Sequence, residues 1–171
     1  MMRWILDACT IIYLIKADLF SQFMKLAKYP VVIDSSVYQE VVINGKASNY
    51  PDADDAEFSL NQFKIPVISI DISKDLNRFR DPGETSCYIL VKEEGICLTS
   101  DDRAYKKFIV SGQQVMRLDS FYFEKLNQKM LSEAEFIAIL KKLETINATK
   151  PKSILFYLEK LQQPKEVKNN D

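Results

Sequence analysis

Residues 3–15 read RWILDACTIIYLI. Three apolar side chains, Trp4-Ile5-Leu6, lead into a single acid, Asp7, and an apolar helix-like stretch follows it. The pattern recurs. Val31-Val32-Ile33 ends at Asp34, and Ile96-Cys97-Leu98-Thr99 runs up to Asp101. Continuous apolar runs, as opposed to strict alternation, suit strands buried on both faces. Residues 66–70 (PVISI) and Val115-Met116 read as two further strands. Helix-like segments lie between them at 10–28, 36–43, 53–63, 83–94 and 102–111. Strand–helix alternation predicts an α/β fold of three α/β/α layers around a central parallel sheet. Sites in such sheets form outside the carboxyl ends of the strands.

The C-terminal third changes character. Ser132-Glu133-Ala134-Glu135 is a capping box, with Leu131 and Phe136 placed as a hydrophobic staple. Phe136, Leu140, Leu143 and Ile146 continue at helical spacing. A second helix is expected from Pro151, a residue suited to a first helical turn, with Ile154, Leu158 and Leu161 on one face. The expected organisation is an α/β domain over 1–127, an αα-hairpin within 128–163 packed on it, and a polar, disordered tail over 164–171.

Composition narrows the chemistry. The chain has 171 residues, 23 Lys+Arg, 24 Asp+Glu and no histidine. Without histidine there is no Ser-His-Asp catalysis and no His-ligated zinc. The cysteines, Cys9, Cys87 and Cys97, are odd in number and lack C-x-x-C spacing, which fits free thiols in a reducing compartment. No apolar run reaches about 18 residues, so neither a signal peptide nor a membrane span is expected, and the expected location is the cytoplasm. Neither G-x-G-x-x-G nor G-x-x-x-x-G-K-[ST] occurs, which excludes nucleotide binding by those loops.

Four carboxylates stand out by position: Asp7, Glu40, Glu84 and Asp101, with Asp102 beside the last. Asp7 and Asp101 also suit helix N-caps, and Asp81-Pro82-Gly83-Glu84 suits a capping box. Glu40 interrupts the apolar stripe of Val37 and Val41, and Glu84 shares a face with Cys87, Tyr88 and Val91. The topology brings all four to one sheet edge. Two carboxylates about 5 Å apart repel by roughly 3 kcal/mol at an effective dielectric of 20, so such a cluster calls for protons or cations. Oxygen ligands without His or Cys select Mg2+ or Mn2+. Such a cation can generate hydroxide from water and stabilise a phosphoryl oxygen. The run Asp52-Asp54-Asp55-Glu57 reads as a helix start, where the dipole favours negative charge.

With these residues in view, 3–120 resembles a PIN-domain nuclease. ILDACTIIYL (5–14) is similar to the family's opening strand, Asp and apolar helix; IDSSVYQEVV (33–42) is similar to its V-x-x-E helix. DPGETSCYILVKEEG (81–95) resembles the G-E-x-x-A-I-x-L-A helix, and LTSDDRAY (98–105) the T-x-D or D-D-R motif. The chain looks closest to prokaryotic PIN proteins that end in a helical pair. Cys9 and Cys87 depart from the Ser, Thr or Ala commoner there, and two acids are Glu on longer arms.

The resemblance implies a Mg2+- or Mn2+-dependent endoribonuclease, with Asp7, Glu40, Glu84 and Asp101 as catalytic and metal-binding acids and Asp102 as an alternative ligand to Asp101. It implies that Thr10 and Thr99 orient acids through their hydroxyls. An RNA substrate would meet Arg78, Arg80, Arg103, Lys106 and Lys107, with Tyr88, Tyr105 or Phe108 available for stacking; Phe108 suits core packing better. It also implies a toxin of a toxin–antitoxin pair, an antitoxin partner offering Arg or Lys to the acids, and homodimerisation. Two other classes remain open: a binding or scaffold module without catalysis, and an acid-based phosphatase.

Overall fold

A computed structural model of the protein describes residues 1–77, 79 and 81–163. Five strands form one all-parallel sheet: β1 (Arg3–Leu6), β2 (Val31–Asp34), β3 (Val67–Ile68), β4 (Gly95–Leu98) and β5 (Val115–Met116), in the order β3-β2-β1-β4-β5. β1 lies at the centre, with Trp4 opposite Val31 on one side and Leu6 opposite Leu98 on the other. Both neighbours bury it, which is why its run is uniformly apolar. Strands 1 to 3 step outward in one direction, and strands 4 and 5 continue on the other side of β1. The order therefore reverses between β1 and β4, and the crevice at their carboxyl ends is where open α/β sheets hold ligands.

Helices cover both faces, giving the three-layer α/β/α architecture. α1 (Ala8–Lys16) and α2 (Phe20–Leu26) follow β1; α3 (Ser35–Tyr38), a π-helical segment (Gln39–Asn44) and α4 (Gly45–Ala47) follow β2; α5 (Asp52–Gln62) precedes β3. α6 (Pro82–Glu94) leads into β4, α7 (Asp102–Val110) connects β4 to β5, and α8 (Leu118–Asn127), α9 (Glu133–Thr145) and α10 (Pro151–Gln162) close the described chain. β4 approaches β1 closely. A Cβ on Gly95 would stand 2.4 Å from Ile5 Cδ1, so a larger residue there would force the Ile5 side chain to shift.

Three elements differ from expectation. β3 is two residues long and half-exposed, an edge strand shorter than PVISI suggests. The helix expected at 36–43 extends over 35–47 and loosens into π geometry from Gln39. α8 has no counterpart among the expected segments. Phe121 and Tyr122 are fully buried, and Trp4 meets Phe121 edge-on at 5.3 Å between ring centroids. Core packing overrides the weak helix propensity of that aromatic cluster.

The C-terminal pair folds as its caps dictate. Ser132 Oγ accepts from Glu135 N, and the Glu135 carboxylate accepts from Ser132 N at 2.7 Å. Phe136, Ile139, Leu140 and Leu143 join the core that contains Trp4 and Phe121. Tyr157 packs against Phe123 and Phe136, and its hydroxyl shares a 3.0 Å hydrogen bond with Ser120. The expected disordered tail, 164–171, lies outside the described residues. No helix among the described residues is long and apolar enough to cross a membrane.

Candidate active site

The carboxyl ends of β1 and β4 are stitched together by side chains. Asp7 caps α1: its Oδ1 accepts from Ala8 N at 2.7 Å. Its Oδ2 accepts from Thr99 Oγ1 at 2.7 Å and from the Cys9 thiol at 3.3 Å. Thr99 Oγ1 accepts in turn from Asp101 N, and Cys9 Sγ from Ser100 N. Asp7 is 6% exposed. Burial pushes its carboxyl above the usual carboxylate range; the hydrogen bonds from Thr99, Cys9 and Ala8 oppose that, and the charge of Asp81 adds to it. Burial and the Asp7 charge likewise push the Cys9 thiol well up, so it sits here as a neutral donor.

Glu40 enters from the other side. It stands in the first turn of the π-helical segment, a geometry that re-aims a side chain at the cost of regular hydrogen bonding. Partial burial raises its carboxyl pKa first, then the charges of Asp81 and Asp7. Asp81 caps α6, its Oδ1 accepting from Glu84 N at 2.8 Å. A Cβ placed on Gly83 would lie 3.4 Å from Glu40 Oε2 and 3.5 Å from Asp81 Oδ1. Glycine thus leaves open a cradle faced by two carboxylate oxygens. Asp81, Glu84 and Asp101, with Arg103 and Lys107, line a cavity of about 610 Å³. Asp101 caps α7, accepting from Arg103 N and Ala104 N at 2.9 and 2.8 Å.

The structure therefore gathers Asp7 and Glu40 around Asp81, and Glu84 and Asp101 around the adjoining cavity that Asp81 also lines. Asp102 is elsewhere engaged. Lys150 and Arg117 both pair with its carboxylate and lower its pKa. It ties α7 to the hairpin and does not join the other acids. Thr99 orients Asp7 as expected of it, whereas Thr10 donates to the Leu98 carbonyl at 2.7 Å and fixes α1 to β4 instead. Arg103 and Lys107 lie on the acid cavity, while Lys106 lines a neighbouring notch. Arg78 and Arg80 lie outside the described residues.

Sequence reasoning assigned Asp81 only a capping role. The signal for more was its position three residues before Glu84, which puts it at the same helix end and the same sheet edge. Tyr13 sits one helical turn beyond Cys9, and burial, followed by the charge of Asp101, raises its phenol pKa.

The donor set suits a hard divalent cation: all-oxygen carboxylates, two of them facing the Gly83 cradle. Each of Asp7, Asp81 and Asp101 also takes backbone N–H donors. Among the described residues, no three acidic, histidine or cysteine side chains already converge tightly enough to hold a metal ion.

No curated protein matches the sequence significantly. Among solved structures, the fold is similar to a domain of a functionally unknown protein from Methanocaldococcus jannaschii DSM 2661. The two share 16% identity with a TM-score of 0.48, over 68% of this chain and 90% of that one. The family model described as DUF3368, a PIN domain, matches residues 3–116, which include all five of the acids gathered at the carboxyl ends of the sheet. The chain belongs to this PIN-domain family.

Proposed function

We propose that this PIN domain is a Mg2+- or Mn2+-dependent endoribonuclease acting at the Asp7–Glu40–Asp81 cluster and its adjoining cavity. PIN domains are nucleases in general; the RNA substrate and the choice of metal are our inference. The observation that carries it is the buried Asp7, held at the β1–β4 switch point with its pKa raised and other carboxylates around it.

Asp7, Glu40, Glu84 and Asp101 would hold the cation, with Asp81 adjoining. A bound cation supplies an acidified water and neutralises charge on the phosphoryl oxygens. The protein's own groups do the rest. Thr99 and Cys9 fix the rotamer of Asp7 by donating to one of its oxygens. Arg103 and Lys107 place positive charge on the wall of an otherwise acidic cavity, where a phosphodiester must enter. Glu40, whose carboxylate faces Asp81 across the open side of Gly83, would receive the proton from an attacking water.

The test is cleavage of a panel of single-stranded and structured RNAs in Mn2+. Wild type should cut; Asp7→Asn and Glu40→Gln should not. RNA left intact by wild type while a control nuclease cuts it refutes the proposal. The proposal extends to a cytoplasmic toxin whose antitoxin offers Arg or Lys to the acids, and to a homodimer. Expression of wild type should then arrest growth and Asp7→Asn should not; equal toxicity from both would sink that extension.

A further inference from the structure

Beside the acid cavity lies a second concavity of about 330 Å³ on the same helix pair, lined by Phe79, Tyr88, Lys106, Lys107, Val110 and Ser111. It is predominantly apolar, and its volume falls at the lower end of small-ligand pockets, about 300–1,000 Å³. Its floor is an aromatic group. Phe79 and Tyr88 lie 5.0 Å apart between ring centroids, and Phe108 beneath them is 5.4 Å from Phe79 and 5.8 Å from Tyr88. Two lysines, Lys106 and Lys107, line it, and Lys107 Nζ stands 5.0 Å over the Phe79 ring. Lys107 also lines the acid cavity, so the two spaces share a wall at that side chain. α7 supplies that lysine together with Lys106, Val110 and, at its end, Ser111.

We propose that this notch seats one unstacked base of a single-stranded RNA whose neighbouring phosphodiester lies in the acid cavity; the proposal rests on the nuclease reading above. An apolar, aromatic-floored recess with lysines at its lip matches a nucleotide: a flat π-face inward and phosphates outward. A base entering the notch would cover the Phe79 ring and turn the Lys107 ammonium toward the neighbouring phosphate. A duplex cannot supply the base without breaking a pair, which makes single strands the substrate class. Val110, 88% exposed at the mouth, is a large apolar side chain in open solvent that a seated base would cover.

The experiment is fluorescence anisotropy with a labelled, mixed-sequence RNA decamer in Mg2+, using full-length Asp7→Asn so that the strand is not cut. Val110→Glu is added to test the notch. At so exposed a position it leaves folding intact, which circular dichroism checks, and it sets a carboxylate where the base and its phosphate lie. A second probe set carries one abasic nucleotide at successive positions, and a third is the same decamer as a duplex. The expected result is at least tenfold weaker binding by Val110→Glu, one abasic position that weakens binding to a similar extent, and weaker binding of the duplex. Phe58→Glu, an equal charge change on exposed α5, should bind as the parent does. Equal binding by Val110→Glu, or indifference to every abasic position, overturns the notch. If wild type still cleaves RNA, the nuclease reading survives that result. Absence of binding together with absence of cleavage overturns both.

Discussion

Asp7→Asn should make the protein more stable at pH 7 in chelator while abolishing its response to metal. The side chain is almost fully buried and its charge is opposed by burial and by Asp81. Removing a buried carboxylate from water costs several kcal/mol. The Thr99 and Cys9 donors and the Ala8 N–H return part of this, at about 1.5–3 kcal/mol for a hydrogen bond to a charged group. An asparagine keeps the shape, still accepts from Ala8, and can donate to the Thr99 hydroxyl, which then turns to accept. The net expected gain is about 1–3 kcal/mol, since only part of the desolvation cost is recovered by wild type. For a chain of this length that corresponds to a rise in Tm of roughly 2–4 °C per kcal/mol.

The pH dependence has a definite sign. Asp7 and Glu40 both have folded-state pKa values above their unfolded ones. Between those values the native state binds more protons than the unfolded state. Their contribution is therefore fully present below the unfolded pKa, about 4, and is lost as pH rises through the raised folded values. Thermal unfolding in chelator should show wild type losing stability from mildly acid to neutral pH, with a flatter profile for Asp7→Asn. Millimolar Mn2+ should raise the wild-type midpoint at pH 7 and leave the mutant unmoved. A mutant less stable than wild type in chelator at pH 7, or equally stabilised by Mn2+, would refute the assignment of Asp7 as a strained cation ligand.

Other expectations follow from single contacts. Thr99→Val removes the 2.7 Å donor to Asp7 without changing volume, so the Asp7 pKa should climb further and cleavage should fall about tenfold or more; unchanged cleavage would show that the hydroxyl does not position Asp7. Gly83→Ala should leave folding intact or improve it by up to about 1 kcal/mol, yet weaken the Mn2+-induced shift by filling the space that Glu40 and Asp81 face. Gly95→Ala has the opposite character: its Cβ would collide with Ile5, costing about 1–3 kcal/mol in urea titrations at unaltered metal response. Ser132→Ala should cost about 1 kcal/mol through loss of the α9 cap, with cleavage unaffected.

The legible parts of the fold were those where a local rule and the global topology agree. β1, β2 and β4 read as buried parallel strands because each is an uninterrupted apolar run ending at or close before an acid, and a central sheet position demands just that. The hairpin read clearly because Ser132, Glu135 and Pro151 are start signals with a mechanism. α8 was illegible: Phe121-Tyr122-Phe123 has no helical periodicity, and its burial rests on tertiary partners, Trp4 and Phe23 against Phe121 and Phe136 and Tyr157 against Phe123. At the site, the acids on strand ends were visible, but the pairing of Asp102 with Arg117 and Lys150 was not. It depends on where α10 begins relative to α7, a distance of tens of residues along the chain. Asp101 and Asp102 are chemically identical in sequence; the helix phase alone sends one to the cavity and the other to the hairpin.

That phase also explains why the acidic set mixes two chain lengths. Asp7, Asp81 and Asp101 are all N-caps, and a cap carboxylate is short because it must reach a backbone N–H of its own helix's first turn. Capping fixes their rotamers and sets them at the helix starts, where the dipoles partly neutralise them. Glu40 and Glu84 lie within helical turns, one at the head of a π-helical segment and one at the third position of α6. From there an aspartate would stop short of the cluster, whereas the extra methylene of glutamate carries the carboxylate inward. Glu40 accordingly reaches the open side of Gly83. The rigid acids define where charge accumulates, and under the proposed function the two glutamates would supply the adjustable reach for closing on a cation. Glu40→Asp should thus lose the Mn2+-induced stabilisation nearly as completely as Glu40→Gln, although it keeps the charge. A Glu40→Asp protein stabilised by Mn2+ as strongly as wild type would show that reach is not what the longer arm provides.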